Sequence, residues 1–182
     1  MEYRKEIKLK DGRTCILRNG IRADGEELLK IFVLTHEQTD FLRTYPDETT
    51  MTAEEEGEFL QRQTDSENAI ELLAEVDGVI IGCAGIAPIG TKDKDRHRAD
   101  FGISLDRAFW GLGIGSALMD ACIECAKKAG FTPLELEVVS ENQRAIALYE
   151  KAGFREFGRN PRGFNSRFSG YQELVYMRLE LD

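Results

Sequence analysis

Apolar residues recur with two different periods along this chain, and each change of period marks an element. Between Gly12 and Gly20 the alternation puts Cys15 and Leu17 on one side of a short strand. Asp24 and Glu27 stand at capping-box spacing and open a helix through about Glu37, with Leu28, Leu29, Ile31 and Phe32 on its apolar face. After a loop at Tyr45-Pro46-Asp47-Glu48, Thr52 and Glu55 repeat that spacing and start a second helix through about Gln63. Two strands follow, Ala69 to Val76 and Val79 to Pro88. Asp77-Gly78 joins them, a dipeptide suited to a two-residue hairpin. Thr91 to Arg96 is a charged, solvated loop, and Ala99 to Leu105 is a further strand. A glycine-rich turn leads into a helix from about Gly113 to Ala129, closed by Gly130. Leu134 to Val139 is the next strand. Ser140 with Gln143 opens a helix that ends at Gly153. Phe154 to Gly158 and Tyr171 to Leu181 read as the last two strands, with Asn160-Pro161, Arg162-Gly163 and Ser169-Gly170 in a loop between them. The order is a single α/β (α+β) domain over residues 1–182, with a mixed sheet and helices on its faces.

Composition narrows the class. Hydrophobic residues make up 42% and charged residues 31%, as in a water-soluble globular chain. No apolar run approaches the roughly 18 residues of a membrane helix, and Met1 to Glu6 does not open a secretory signal. The expectation is a cytoplasmic protein without a membrane partner. A formal charge of −9 repels polyanions, so no nucleic-acid partner is expected. The same charge serves solubility and would also draw in a cation. Cys122 and Cys125 form a C-x-x-C, but Leu118, Ala121, Cys122, Cys125, Ala126 and Ala129 recur on one helix face, so both thiols read as core. No metal site is expected.

The segment Trp110-Gly111-Leu112-Gly113-Ile114-Gly115-Ser116 carries the chemistry. Alternate glycines let the backbone approach a ligand closely. A helix begins at once, so unpaired N–H groups and the positive end of its dipole face the turn, which suits a pyrophosphate. A ligand-free connection and a dinucleotide-binding turn are the other readings. The second is disfavoured because no spacing here gives G-x-G-x-x-G, and Asp106 to Trp110 separate the strand from the first glycine.

A second motif follows: Asn142, then Ala145-Ile146-Ala147-Leu148-Tyr149, then Gly153-Phe154. With the glycine turn, it resembles the Gcn5-related N-acetyltransferase (GNAT) family. The resemblance covers about Ile80 to the C-terminus, while the first 70 residues match in element order only. It implies a central mixed sheet of about seven strands flanked by about four helices. It also implies acetyl-CoA as cosubstrate, direct attack of a primary amine in a ternary complex, and room for a homodimer. On this resemblance Trp110 to Ser116 form the pyrophosphate loop, Ile103, Ser104 and Leu105 the pantetheine-binding edge, and Asn142 a further contact to that arm. Trp110 and Leu112 stand where the family usually has Arg or Gln and a basic residue, so backbone amides must hold most of the phosphate charge. Arg144 and Lys151 read as solvated helix charges or as neighbours of the adenosine phosphates.

The reaction needs a base for an amine of pKa near 10, a donor for the oxyanion and an acid for the departing thiolate. Tyr149 matches the family's tyrosine and is the expected acid. Asp100, sharing a strand face with Gly102 and Ser104, is the expected base, with Glu135, Glu137, Glu173 or a water chain as rivals. Main-chain N–H groups at the end of that strand are the expected oxyanion donors. The acceptor is expected to be a small cationic molecule or a short peptide end. Phe41, Tyr45 and Glu48 fall where the family builds the acceptor pocket, as do Phe164, Phe168 and Tyr171. Asp47 and Glu48 would supply the charge. A catalytically silent CoA-binding domain of the same fold is the alternative to an enzyme.

Overall fold

In the computed structural model, which describes residues 1–181, the alternating segments become eight strands. They are β1 (Arg4–Lys8), β2 (Thr14–Asn19), β3 (Ile70–Val76), β4 (Val79–Pro88), β5 (Ala99–Leu105), β6 (Pro133–Val139), β7 (Arg155–Ser166) and β8 (Gly170–Glu180). The helices are α1 (Gly25–Glu37), α2 (Ala53–Asp65), α3 (Ile114–Lys128) and α4 (Gln143–Ala152). One sheet runs β1-β2-β3-β4-β5-β6-β8-β7, antiparallel throughout except for the β5–β6 pair. A dinucleotide-binding fold needs a run of parallel strands, so that reading falls.

Period-two alternation on β3 sorts the core into two layers. Ile70, Leu72 and Ala74 face Leu118, Met119 and Cys122 of α3. Leu73 turns the other way and packs with Leu28 and Ile31 of α1 and Leu60 of α2. The sheet is therefore covered on both faces. Cys122 and Cys125 are buried in the α3 layer, as their spacing implied.

Local chemistry explains most boundaries. Asp77 (φ 53°) and Gly78 (φ 79°) both take positive φ, the requirement of the tight turn joining β3 to β4. Thr52 and Glu55 exchange the two bonds of a capping box at α2, at 3.2 and 2.8 Å. Two expected boxes are not made. The Asp24 carboxylate is taken by Arg18 at 2.7 and 2.8 Å, and Glu27 accepts the Ile80 amide at 2.8 Å. At α4 the cap is Asn142, which accepts the Ala145 amide at 3.2 Å, while Gln143 donates to the Ser140 carbonyl.

The strand count exceeds expectation because β1 holds one apolar side chain, Ile7, among charges, so its pattern carries no alternation. Charges of this kind also suit an edge strand. The last hairpin is longer than expected. Asn160-Pro161 and Arg162-Gly163 lie inside β7, at a register shift between Asn160 and Phe164 where an irregular strand tolerates proline.

Candidate active site

The site begins with a pair of strands that come apart. β5 and β6 pair only at Ala99–Leu134 and Asp100–Glu135. Beyond that point β5 stays bound to β4 as far as Leu105, and β6 stays bound to β8 as far as Val139. The two facing edges therefore diverge with no ladder between them. Backbone polar groups left this way need partners, so the gap is suited to an extended ligand carrying amides. It opens into a cleft of about 770 Å³.

The glycine turn lies at the end of β5. Gly111 (φ 82°) and Gly113 (φ 99°) occupy the left-handed region that a side chain disfavours. Gly113 caps α3 without any side-chain acceptor. No amide from Gly111 through Ser116 finds an acceptor among the described residues. These unpaired donors, with the α3 dipole behind them, fit a pyrophosphate. The Trp110 indole N–H donates to the Leu105 carbonyl at 2.9 Å, and the Arg144 guanidinium lies 4.7 Å from the ring centroid. A cation thus reaches the turn from α4 rather than from the loop itself. Arg144 and Lys151 both line the cleft. Leu112 and Ile114 do not: Leu112 packs on the core and Ile114 is buried within it, so only their backbones belong to the turn.

Tyr149 stands on α4 with its ring buried against Phe101 and Phe154, at 6.2 and 6.0 Å between centroids. It lines the cleft, and burial raises its phenol pKa, which keeps the proton on at neutral pH. Asn142, Gly102, Ile103, Ser104 and Leu105 line the same cleft. Asp100 opens onto it too. Its carboxyl, open to solvent in the cleft, is pushed up to about 6, first by desolvation from its surroundings and then by repulsion from Glu137.

The three rival carboxylates separate cleanly. Glu135 is buried and held by Arg98 at 2.6 Å and Arg178 at 3.0 Å, which keep its pKa low. Glu173 is paired with Arg159 at 2.9 Å. Glu137 has no ion pair or side-chain hydrogen bond among the described residues and faces the cleft.

A second cavity of about 420 Å³ adjoins the first and is lined by Tyr45, Glu48 and Phe164 among others. Phe41 lines the cleft instead. Tyr171 lines neither cavity: it is 61% exposed, with Arg162 over its ring at 4.9 Å. Phe168 is exposed as well, and packs edge-on against Tyr45. Asp47 and Glu48, expected to hold a cationic acceptor, both face Arg167, at 2.7 and 3.6 Å. Sequence reasoning missed Gln38, which ties the end of α1 to the turn by bonding Asp106 and the Arg107 amide, each at 2.8 Å. It also missed Arg43, whose place at the cavities depends on the loop after α1.

A splayed parallel pair that ends at a turn of unpaired amides suits a ligand with an amide-bearing arm and a pyrophosphate. Residues 31–154 match the family model described as Acetyltransferase (GNAT) family, and the chain belongs to that family. Solved structures agree. An acetyltransferase of the GNAT family from Streptococcus pneumoniae superposes with a TM-score of 0.87 and 31% identity, covering 91% of this chain and 99% of that one. The yncA protein of Salmonella typhimurium, solved with its cofactor acetyl-CoA, gives 0.81 and 21%, covering 92% and 94%. The L-amino acid N-acetyltransferase AaaT of Escherichia coli is 32% identical over 118 residues, which is 64% of this chain and 72% of AaaT. The "Probable N-acetyltransferase camello" of Xenopus tropicalis is 35% identical over 50% of this chain, and the match spans 41% of that protein.

Proposed function

We propose that this chain transfers the acetyl group of acetyl-CoA to a primary amine by direct attack in a ternary complex. One observation carries the reading: the parted edges of β5 and β6, the unpaired amides of Gly111 to Ser116 and the phenol of Tyr149 all face a single cleft. Acetyl-CoA supplies an activated acyl group whose thiol, with an unperturbed pKa of about 8.5, is a good leaving group.

Each protein group then has a task set by its surroundings. The amides of the turn and the Arg144 guanidinium hold the pyrophosphate charge. Asn142 stands where it can meet the same arm while capping α4. The free edge of β5 binds the amide-bearing arm and points N–H groups at the carbonyl oxygen that gains charge. Tyr149, whose phenol is protonated at neutral pH, donates its proton at Oη to the sulfur. Asp100 accepts the proton of the amine. The thiols of Cys122 and Cys125 take no part, since both are buried and their pKa values are raised by that burial. Four free cysteines suit the reducing cytoplasm, where we place the reaction.

The test is release of free thiol from acetyl-CoA in the presence of a panel of amines, with mass spectrometry of the acetylated product. CoA binding without turnover on any amine would leave a silent CoA-binding domain. No binding at all would remove the reading.

A further inference from the structure

We propose that Arg43 binds a carboxylate carried next to the acceptor's amine, so that the acceptor is a free α-amino acid rather than a polyamine or a peptide end. The inference rests on the acetyl-transfer reading and names its second substrate.

Arg43 follows α1 at the place where the two cavities meet. Leu42, Arg43, Glu137 and Phe164 line both. Among the described residues, Arg43 is the one cation that lines the second cavity. It also makes no ion pair with any carboxylate there. In a chain with 33 Asp and Glu against 24 Lys and Arg, an arginine beside acidic groups ordinarily finds a partner. Of the carboxylates lining that cavity, Asp40 and Glu48 are otherwise engaged, while Glu137 has no ion pair among the described residues. Asp40 accepts from Ser166 at 2.6 Å, Ser169 at 3.0 Å and Gln172 at 3.2 Å. Glu48 accepts the Tyr45 amide at 2.8 Å and faces Arg167.

What is left uncommitted is the Arg43 guanidinium and Glu137 at the junction, with Asp100 in the adjoining cleft. Arg43 and Asp100 line the same cleft, and the Arg43 charge weakly favours the ionised Asp100 carboxylate. This arrangement is the complement of a zwitterion. A guanidinium offers a planar fork of donors that matches a carboxylate in two parallel hydrogen bonds. An ammonium bound beside that carboxylate would lie toward Asp100, which accepts its proton. A polyamine would bring further positive charge against Arg43. A peptide end would present a neutral amide where the carboxylate should be.

Kinetics on the intact chain decide it, using thiol release with each proteinogenic L-amino acid, the matching L-amino acid carboxamide, spermidine and alanyl-alanine. The best free acid should exceed its own carboxamide in kcat/KM by about 10-fold, the worth of one charge-assisted hydrogen bond at an open, solvent-facing arginine. Arg43→Gln should collapse that ratio toward one, mainly through KM for the acid, and Arg43→Lys should restore part of it. A general loss of structure would lower both substrates together and leave the ratio unchanged. Equal use of acid and carboxamide by the wild type, preference for spermidine or alanyl-alanine, or a ratio unmoved by Arg43→Gln would overturn the proposal. Those results would leave acetyl transfer standing, whereas absence of turnover with every amine would remove both.

Discussion

Replacing Asp100 by Asn should erase a break in the pH–rate profile near pH 6. The Asp100 carboxyl is raised from 3.8 to about 6, chiefly by desolvation, with repulsion from Glu137 next and from Glu135 smaller. A backbone hydrogen bond at Phe101 and the charge of Arg43 pull the other way. A base with a pKa of 6 is about nine-tenths ionised at pH 7 and about one-tenth at pH 5, where an ordinary carboxyl would still be about nine-tenths ionised. The acceptor arrives as an ammonium and gives its proton to Asp100, so log kcat/KM against pH should rise with slope one below pH 6 and run level from there to the amine's own pKa. In Asp100→Asn the slope should stay at one throughout, with a rate lower by about 10²-fold at pH 7. Glu137→Gln removes the repulsion and should move the break to lower pH, short of the ordinary carboxyl range because the desolvation remains. Stability gives an independent readout. A carboxyl whose folded pKa is raised costs stability when ionised. The cost is absent below about pH 3.8, grows up to about pH 6 and is full above it. The shift corresponds to at most about 3 kcal/mol, and solvent in the open cleft reduces it. Asp100→Asn should thus gain about 1 kcal/mol in denaturant unfolding at pH 7 and nothing near pH 4. A break at pH 6 that survives in Asp100→Asn would refute Asp100 as the base and pass the role to Glu137 or a water.

Four further outcomes are expected. Tyr149→Phe should lower kcat by about 10²-fold while CoA affinity, followed by thermal shift, stays near the wild-type value; wild-type turnover would remove the phenol from the mechanism. Gly113→Val forces a β-branched side chain to φ 99° and should abolish the Trp110 fluorescence response to CoA, and an intact response would dismiss the turn as the phosphate site. Replacing both Cys122 and Cys125 by Ala should leave turnover largely unchanged, and an acetyl label mapped to either thiol would contradict direct attack. Arg18→Gln strips the buried Asp24 of its partner and should cost about 3 kcal/mol in denaturant unfolding; a loss within error would mean that water replaces the guanidinium.

Much of this protein was legible wherever the cause lies within a few residues. The Asp77-Gly78 hairpin, the Thr52–Glu55 cap, the apolar face of α3 and the glycine turn each depend on neighbours along the chain, and each formed as its pattern implied. The place of Tyr149 in the cleft was legible from Asn142 and the Ala145 to Phe154 motif. Tertiary structure decided what depends on distant partners. Asp24 left its capping box because Arg18, on β2, claimed its carboxylate. Glu135 and Glu137 are two residues apart on one strand and look equivalent in the sequence. Arg98 and Arg178, which are 37 and 43 residues away from Glu135, bury its charge and leave Glu137 facing both cavities. The parting of β5 from β6 is of the same kind. Each strand is held on its outer edge by a different antiparallel neighbour, and no local preference in either one encodes the gap between them. Short-range patterning fixes the elements and the turn, but which charges and backbone edges remain free for a substrate is settled only when every other partner has been assigned.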